Sequence, residues 1–203
     1  MGADTDLAAA LTRLDEITRR LRRDCPWDRD QDERSIVPHT VEEAYELADA
    51  AHSGDDAKLV DELGDVLFQV YFLALLLEER GQGDLVQVAD HVREKLIRRH
   101  PHVFGSVGAD TAEEVRRNWD QVKRDDERGG ELFGDIPETL PSTLYAKKVL
   151  KRAESAGFVL DSAAEDPGER LLAAVRAAVD AGVDPELALR QAADRFKNEV
   201  DGA

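Results

Sequence analysis

Cysteine is almost missing from this chain: Cys25 stands alone among 203 residues. That excludes an intramolecular disulfide framework and fits a reducing, cytoplasmic setting. Aromatic residues make up only 5% of the chain and runs of β-branched residues are absent, which argues against a sheet-built core. Long apolar runs are also lacking. The longest, residues 66–77, is too short to span a bilayer. The opening M-G-A-D-T-D has neither the basic nor the apolar region of a secretory signal. Bases are in short supply, 27 against 44 acids, for a net charge of −17. Such a charge excludes nonspecific binding to a nucleic acid polymer or an anionic membrane. A small polyanion remains compatible, provided a cation and a local basic patch offset the field. No glycine-rich phosphate loop and no H-E-x-x-H motif occurs.

What is present is Ala, Leu, Glu and Arg in helical periodicity, and the class read from it is all-α. A first amphipathic helix is expected over residues 6–23, with Leu7, Leu11, Leu14, Ile17 and Leu21 on one side. C-P-W-D-R-D-Q follows as a turn carrying Pro26 and Trp27. Further helices are expected over 40–53, over 57–80 with Gly81 as its stop, and from the Asp84 cap to Arg99. Thr111-x-x-Glu114 reads as a capping box opening a helix through 126. A Gly-rich connector over 127–137 precedes a helix from Pro141 to about 157, and the Ala-rich tail suits helices over 168–181 and 185–200.

The densest chemistry lies between Thr40 and Asp65. T-V-E-E-A-Y-E is followed by a break at Ser53-Gly54-Asp55-Asp56 and then by L-V-D-E-L-G-D. On helices, Glu43 stacks on Glu46 with Glu42 beside them, and Glu62 stacks on Asp65. Glu62, Asp65 and Gln69 form a polar stripe on a helix that is otherwise apolar from Val66 to Leu77, a pattern typical of a buried helix. Carboxylates crowded together in such a place need protons, basic partners or a cation. Two helices joined by a short break can lie antiparallel and bring the pairs together, and such an oxygen set suits a hard divalent cation. The rival readings are a solvated acidic face for Glu42 and Glu46, and a Thr40–Glu43 capping box after Pro38.

A second concentration, R-E-K-L-I-R-R-H-P-H-V-F, places Arg93, Lys95, Arg98, Arg99, His100 and His102 close together in an acidic protein. Cations at a helix C-terminus favour the macrodipole, and forked guanidinium groups also suit phosphate. Trp119 and Lys123, four apart in N-W-D-Q-V-K, could stack a base and hold a phosphate.

Together, C-P-W-D-x-x-Q at 25–31, E-E-A-Y-E at 42–46, E-L-G-D-V-L-F-Q-V at 62–70, K-L-I-R-R-H-P-H-V-F-G at 95–105, W-D-Q-V-K at 119–123 and L-P-x-x-x-x-A-K-K from Leu140 resemble the MazG-type nucleoside triphosphate pyrophosphohydrolases. The resemblance covers residues 11–158. It implies an all-α antiparallel helical bundle, completed by dimerisation or a higher homo-oligomer. It implies magnesium-dependent cleavage of nucleoside triphosphates to a monophosphate and pyrophosphate, with manganese as the alternative ion. Glu43, Glu46, Glu62 and Asp65 would hold the metal, and Glu42 would orient or deprotonate the attacking water. Lys95, Arg98 and Arg99 would meet the phosphates, and Trp119 and Lys123 the base or the phosphates.

The expected organisation is a catalytic helical domain over 1–127, a connector and helix over 128–160, and a helical appendage over 161–203 that echoes the first unit. Chance likeness among Ala-rich helices is the rival account of that echo. If it is a copy, it lacks E-E-x-x-E and keeps only Glu169 near an acid position. Competing functions are a weakly catalytic helical interaction module, or a narrower dUTPase-like or phosphoribosyl-ATP pyrophosphohydrolase. Apolar surplus on the 66–77 helix, at Phe72, Leu73, Leu75 and Leu76, is the reason to expect a dimer.

Overall fold

The computed structural model describes residues 3–105, 108, 111, 114–115, 118, 132–134, 136–158 and 166–202. Helices supply the regular structure, and no strand occurs among the described residues. The chain forms two compact units, Met1–Ile97 and Arg98–Ala203. Among the described residues no helix is long and apolar enough to cross a membrane.

The first unit contains α1 (Ala3–Asp24), the short α2 (Pro26–Arg29), α3 (Glu33–Ser53), α4 (Asp56–Glu79) and most of α5 (Leu85–Arg99). Helices α3 and α4 form a hairpin and pack along each other. Gly54, at φ 71°, provides the left-handed residue that ends α3, and the Asp55 carboxylate then accepts from the Ala57 and Lys58 amides to start α4. The core sits where Ile36 meets Phe72 and Leu76, with Phe68 and Leu73 packed against them. Helix α1 lies against α4 and is tied to its C-terminal end by two forked ion pairs, Arg19 to Glu78 and Arg22 to Glu79. As expected, Gly81 follows α4 with φ 66°, and Asp84 Oδ1 accepts from the Gln87 amide at 2.7 Å to cap α5.

One boundary differs from the sequence reading. Helix α3 begins at Glu33, seven residues before Thr40, and Pro38 lies inside it. Asp32 and Ser35 form a reciprocal capping box, each side chain bonded to the other's amide at 2.9 Å. That cap, with Ile36 anchored in the core, outweighs the hydrogen bond Pro38 cannot make. Thr40 is therefore mid-helix, its hydroxyl donating to the Ile36 carbonyl at 3.4 Å. The Thr40–Glu43 capping box does not form, and the Glu43 carboxylate is left for other work.

The apolar surplus also lies elsewhere than expected. Phe72, Leu75 and Leu76 are buried and Leu73 half-buried within the chain. The uncovered apolar side chains of α4 are Val60, Leu63, Leu67 and Val70, in the spacing of one helical stripe.

The second unit contains α6 (Pro101–Phe104), α7 (Ser142–Ser155), α8 (Pro167–Asp180) and α9 (Pro185–Asp201). The last three match the expected helices and pack on one another. Asp166 and Asp184 cap α8 and α9, and Asp184 also pairs with Lys147 of α7. Thr111 and Glu114 make the expected capping box, but most of the helix foreseen beyond it, with Trp119 and Lys123, lies outside the described residues.

Candidate metal centre

The α3–α4 hairpin brings Glu43 across from Glu62 and Asp65. One oxygen from each carboxylate lies within 4.8 Å of the others, the only such acid cluster among the described residues. Glu62 is buried at 8% exposure, Glu43 half-buried and Asp65 exposed. Burial comes first in pushing the Glu43 carboxyl above its ordinary range, followed by the charges of Asp65, Glu46, Glu62 and Glu42. Burial and then Glu46 do the same to Glu62, against a weaker pull from Lys58. Among the described residues Glu43, Glu62 and Asp65 have no ion-pair partner, whereas Glu42 lies beside His39. The cluster thus meets the condition set by the sequence: acids that need a proton or a cation.

The donor set fits a hard divalent ion. Magnesium takes oxygen at about 2.1 Å in an octahedron, so neighbouring ligands stand about 3.0 Å apart and opposite ones about 4.2 Å. Three oxygens within 4.8 Å approach that arrangement. Glu46, expected as a fourth ligand, is exposed and not one of the three, though its charge reaches Glu43 and Glu62. Glu42 is exposed, 3.8 Å from His39 Nδ1.

The family model of the MazG nucleotide pyrophosphohydrolase domain matches residues 31–104, the segment that holds all five acids. A protein of Escherichia coli (strain K12) named nucleoside triphosphate pyrophosphohydrolase is 34% identical over 92% of this chain and 84% of its own length. The chain belongs to the MazG family. A nucleoside triphosphate pyrophosphohydrolase/pyrophosphatase MazG of Thermotoga maritima is also 34% identical, over 85% of this chain and 76% of that one. A crystal structure of a MazG-related protein from Thermotoga maritima aligns at 29% identity and a TM-score of 0.48, over 56% of this chain and 98% of the other.

In this MazG chain the expected phosphate-binding cations divide between the units. Lys95 is half-buried on α5 in the first, while Arg98, exposed, and Arg99, buried, open the second. Arg22 escaped the sequence reading. It donates to three backbone carbonyls of the turn after α1, and backbone acceptors leave no mark in side-chain patterns.

The raised carboxyls predict a pH dependence. Where folding raises an acid's pKa, the folded chain binds protons that the unfolded chain has released. That contribution is fully present in acid and is lost as pH rises from the ordinary carboxylate range through the raised values. Glu78 and Glu79 shift the other way, held down by hydrogen bonds from Arg19 and Arg22, so the comparison must be made against a variant. In chelator, Glu62→Gln is expected to melt close to wild type near pH 4 and progressively above it toward pH 7. Magnesium should raise the wild-type Tm at pH 7 and largely spare the variant. A Tm difference that is constant with pH would refute the assignment.

Proposed function

We propose that this MazG chain is a divalent-metal-dependent hydrolase that splits nucleoside triphosphates between the α and β phosphorus, giving a monophosphate and pyrophosphate. The observation that carries the reading is the Glu43–Glu62–Asp65 cluster, an oxygen cage with no ion-pair partner among the described residues, in a net acidic chain of this family. Magnesium, when bound, supplies positive charge to the phosphate oxygens and to the attacking water. Glu43, Glu62 and Asp65 hold it, and Glu46 adds negative charge at the margin. Glu42 stands beside the cluster, exposed enough to accept a proton from water, and His39 within reach of its carboxylate can orient it. Lys95, Arg98 and Arg99 are assigned to the phosphates, and Trp119 and Lys123 to the base or phosphates, on the chemistry of their side chains. The reaction needs positioning and charge, with no covalent intermediate. Pyrophosphate release from a panel of purine and pyrimidine triphosphates with magnesium tests it. Absence of release from every nucleotide would overturn it.

The same reading includes a homodimer. The open stripe of Val60, Leu63, Leu67 and Val70 runs along the helix that carries Glu62 and Asp65. A second copy covering it would remove apolar surface from water and stiffen the site helix. Light scattering at micromolar concentration is expected to give twice the chain mass, and Leu67→Lys to give the single mass. A wild-type monomer would refute this part.

A further inference from the structure

Trp27 stands 52% exposed in α2, an expensive place for a large apolar ring. Its surroundings give it a use. The indole meets the His39 ring edge-on, with centroids 5.9 Å apart and planes at 65°. His39 Nδ1 in turn lies 3.8 Å from Glu42 Oε2, and the Glu42 charge acts on Glu43 of the acid cluster. Trp27, His39 and Glu42 are therefore neighbouring side chains within one unit of the chain, and Glu42 is next in sequence to Glu43 of the acid cage.

The turn bearing Trp27 is fixed from outside. Cys25, at the N-cap of α2, provides no side-chain cap. Instead Arg22 Nη1 donates to the carbonyls of Asp28, Arg29 and Gln31 at 2.6, 2.9 and 3.0 Å. Its Nε and Nη2 grip Glu79 at 2.9 and 2.8 Å, and its Cζ lies 5.9 Å from the centre of the Phe72 ring. Gln31 Nε2 closes the turn by donating to the Trp27 carbonyl at 2.8 Å. One guanidinium thus joins the turn to the end of α4 and to the core. A lysine, with one donor centre and no planar fork, cannot reproduce the set.

We propose that the 25–31 turn is a wall of the nucleotide site, that the exposed indole of Trp27 stacks on the substrate's base, and that Arg22 is the positioning residue that holds this wall. The proposal rests on the nucleoside triphosphate reading above. The base is the fitting occupant because the acid cage next door fixes the phosphate end through its cation. A flat π surface at the far end of these neighbouring side chains can then take any base.

The chain has two tryptophans, so the Trp27 signal is read as the emission of the wild type less that of Trp27→Phe, with Trp119 kept in both. In that difference, an α,β-methylene nucleoside triphosphate with magnesium is expected to quench Trp27 emission and shield it from acrylamide. Inorganic tripolyphosphate, with the charge but no base, should do neither. Trp27→Ala in the otherwise wild-type chain should raise KM for nucleoside triphosphates by about five- to a hundred-fold while kcat changes by less than about three-fold. Because Trp27 is exposed, its removal should leave the Tm nearly unchanged. Arg22→Lys should reproduce the KM rise and lose the quenching, while magnesium still raises its Tm. An unchanged KM in Trp27→Ala, or equal quenching by tripolyphosphate, overturns the wall. So does a drop of Trp27→Ala to half the native mass with KM intact, which would make Trp27 an interface residue. A raised KM in Trp27→Ala with a normal one in Arg22→Lys overturns the role of Arg22. Failure of the wild type itself to release pyrophosphate refutes the underlying function, and is distinct from an active wild type indifferent to Trp27.

Discussion

Asp65→Asn should lower pyrophosphate release on the order of a thousand-fold, for every nucleotide alike. Asp65 is exposed, so the change disturbs little packing and its effect can be read as chemistry. It belongs to the three carboxylates that converge within 4.8 Å, and an amide at that position offers the cation a neutral ligand in place of a charged one. Neutralising one of three acids should also weaken the magnesium-induced rise in Tm. Glu46→Gln makes the contrast. Glu46 is not one of the converging three and acts on them through its field, so its loss should cost about ten- to a hundred-fold, the range typical of groups that support ligands without being one. Rates and magnesium-dependent melting for the two variants check both points. Asp65→Asn activity within ten-fold of wild type, or a larger loss in Glu46→Gln, would show that the cation sits elsewhere.

Phe72→Ala should be the most damaging change to the fold. Phe72 is 1% exposed and packs against Ile36 and Leu76, with the Phe68 ring 5.8 Å away and Arg22 beside it. Truncating a buried phenylalanine costs about 3–5 kcal/mol, against a total of about 5–15 kcal/mol for a typical domain. Urea unfolding should show a lowered midpoint at an unchanged slope, the shift multiplied by the slope giving a loss of that size. The loss differs in kind from that of Asp65→Asn. Folded Phe72→Ala protein should keep its magnesium response, since its three acids are intact. A loss under 1 kcal/mol would mean that the α3–α4 core around Ile36 and Phe72 contributes little to the unit.

Much of this arrangement was legible because it is local. The period of Leu7, Leu11, Leu14 and Leu21 marked α1, while Gly81 and Asp84 marked the passage from α4 to α5. Glu62 and Asp65 could be paired from spacing alone, and the short break before them implied a hairpin that would return Glu43 to their side. What was not legible depended on weighing one local signal against another, or on backbone. Pro38 next to Thr40 imitates a helix start, and only the Asp32–Ser35 cap and the anchoring of Ile36 carry the helix through it. Glu46 shares a helix face with Glu43, yet periodicity cannot say which carboxylates of a face converge. Arg22 binds carbonyls that every residue possesses, so no pattern of side chains betrays it.

Helix α4 is uneven along its length, and that has a consequence for amide hydrogen exchange. Its later part buries Tyr71, Phe72, Ala74, Leu75 and Leu76, whereas Val60, Leu63, Gly64, Asp65 and Leu67 are exposed. Gly64 adds to the contrast: beyond its chain neighbours and its own helix backbone no atom lies within 4 Å of where its Cβ would be, and a glycine inside a helix weakens it by about 1 kcal/mol relative to alanine. Amides of the early turns should therefore exchange through partial opening, well before those around Phe72, which must await unfolding of the whole unit. Glu62 and Asp65 sit in the segment that opens. A cation gripping them and Glu43 at once would close it, so the slowing of exchange on adding magnesium should be concentrated in those early turns.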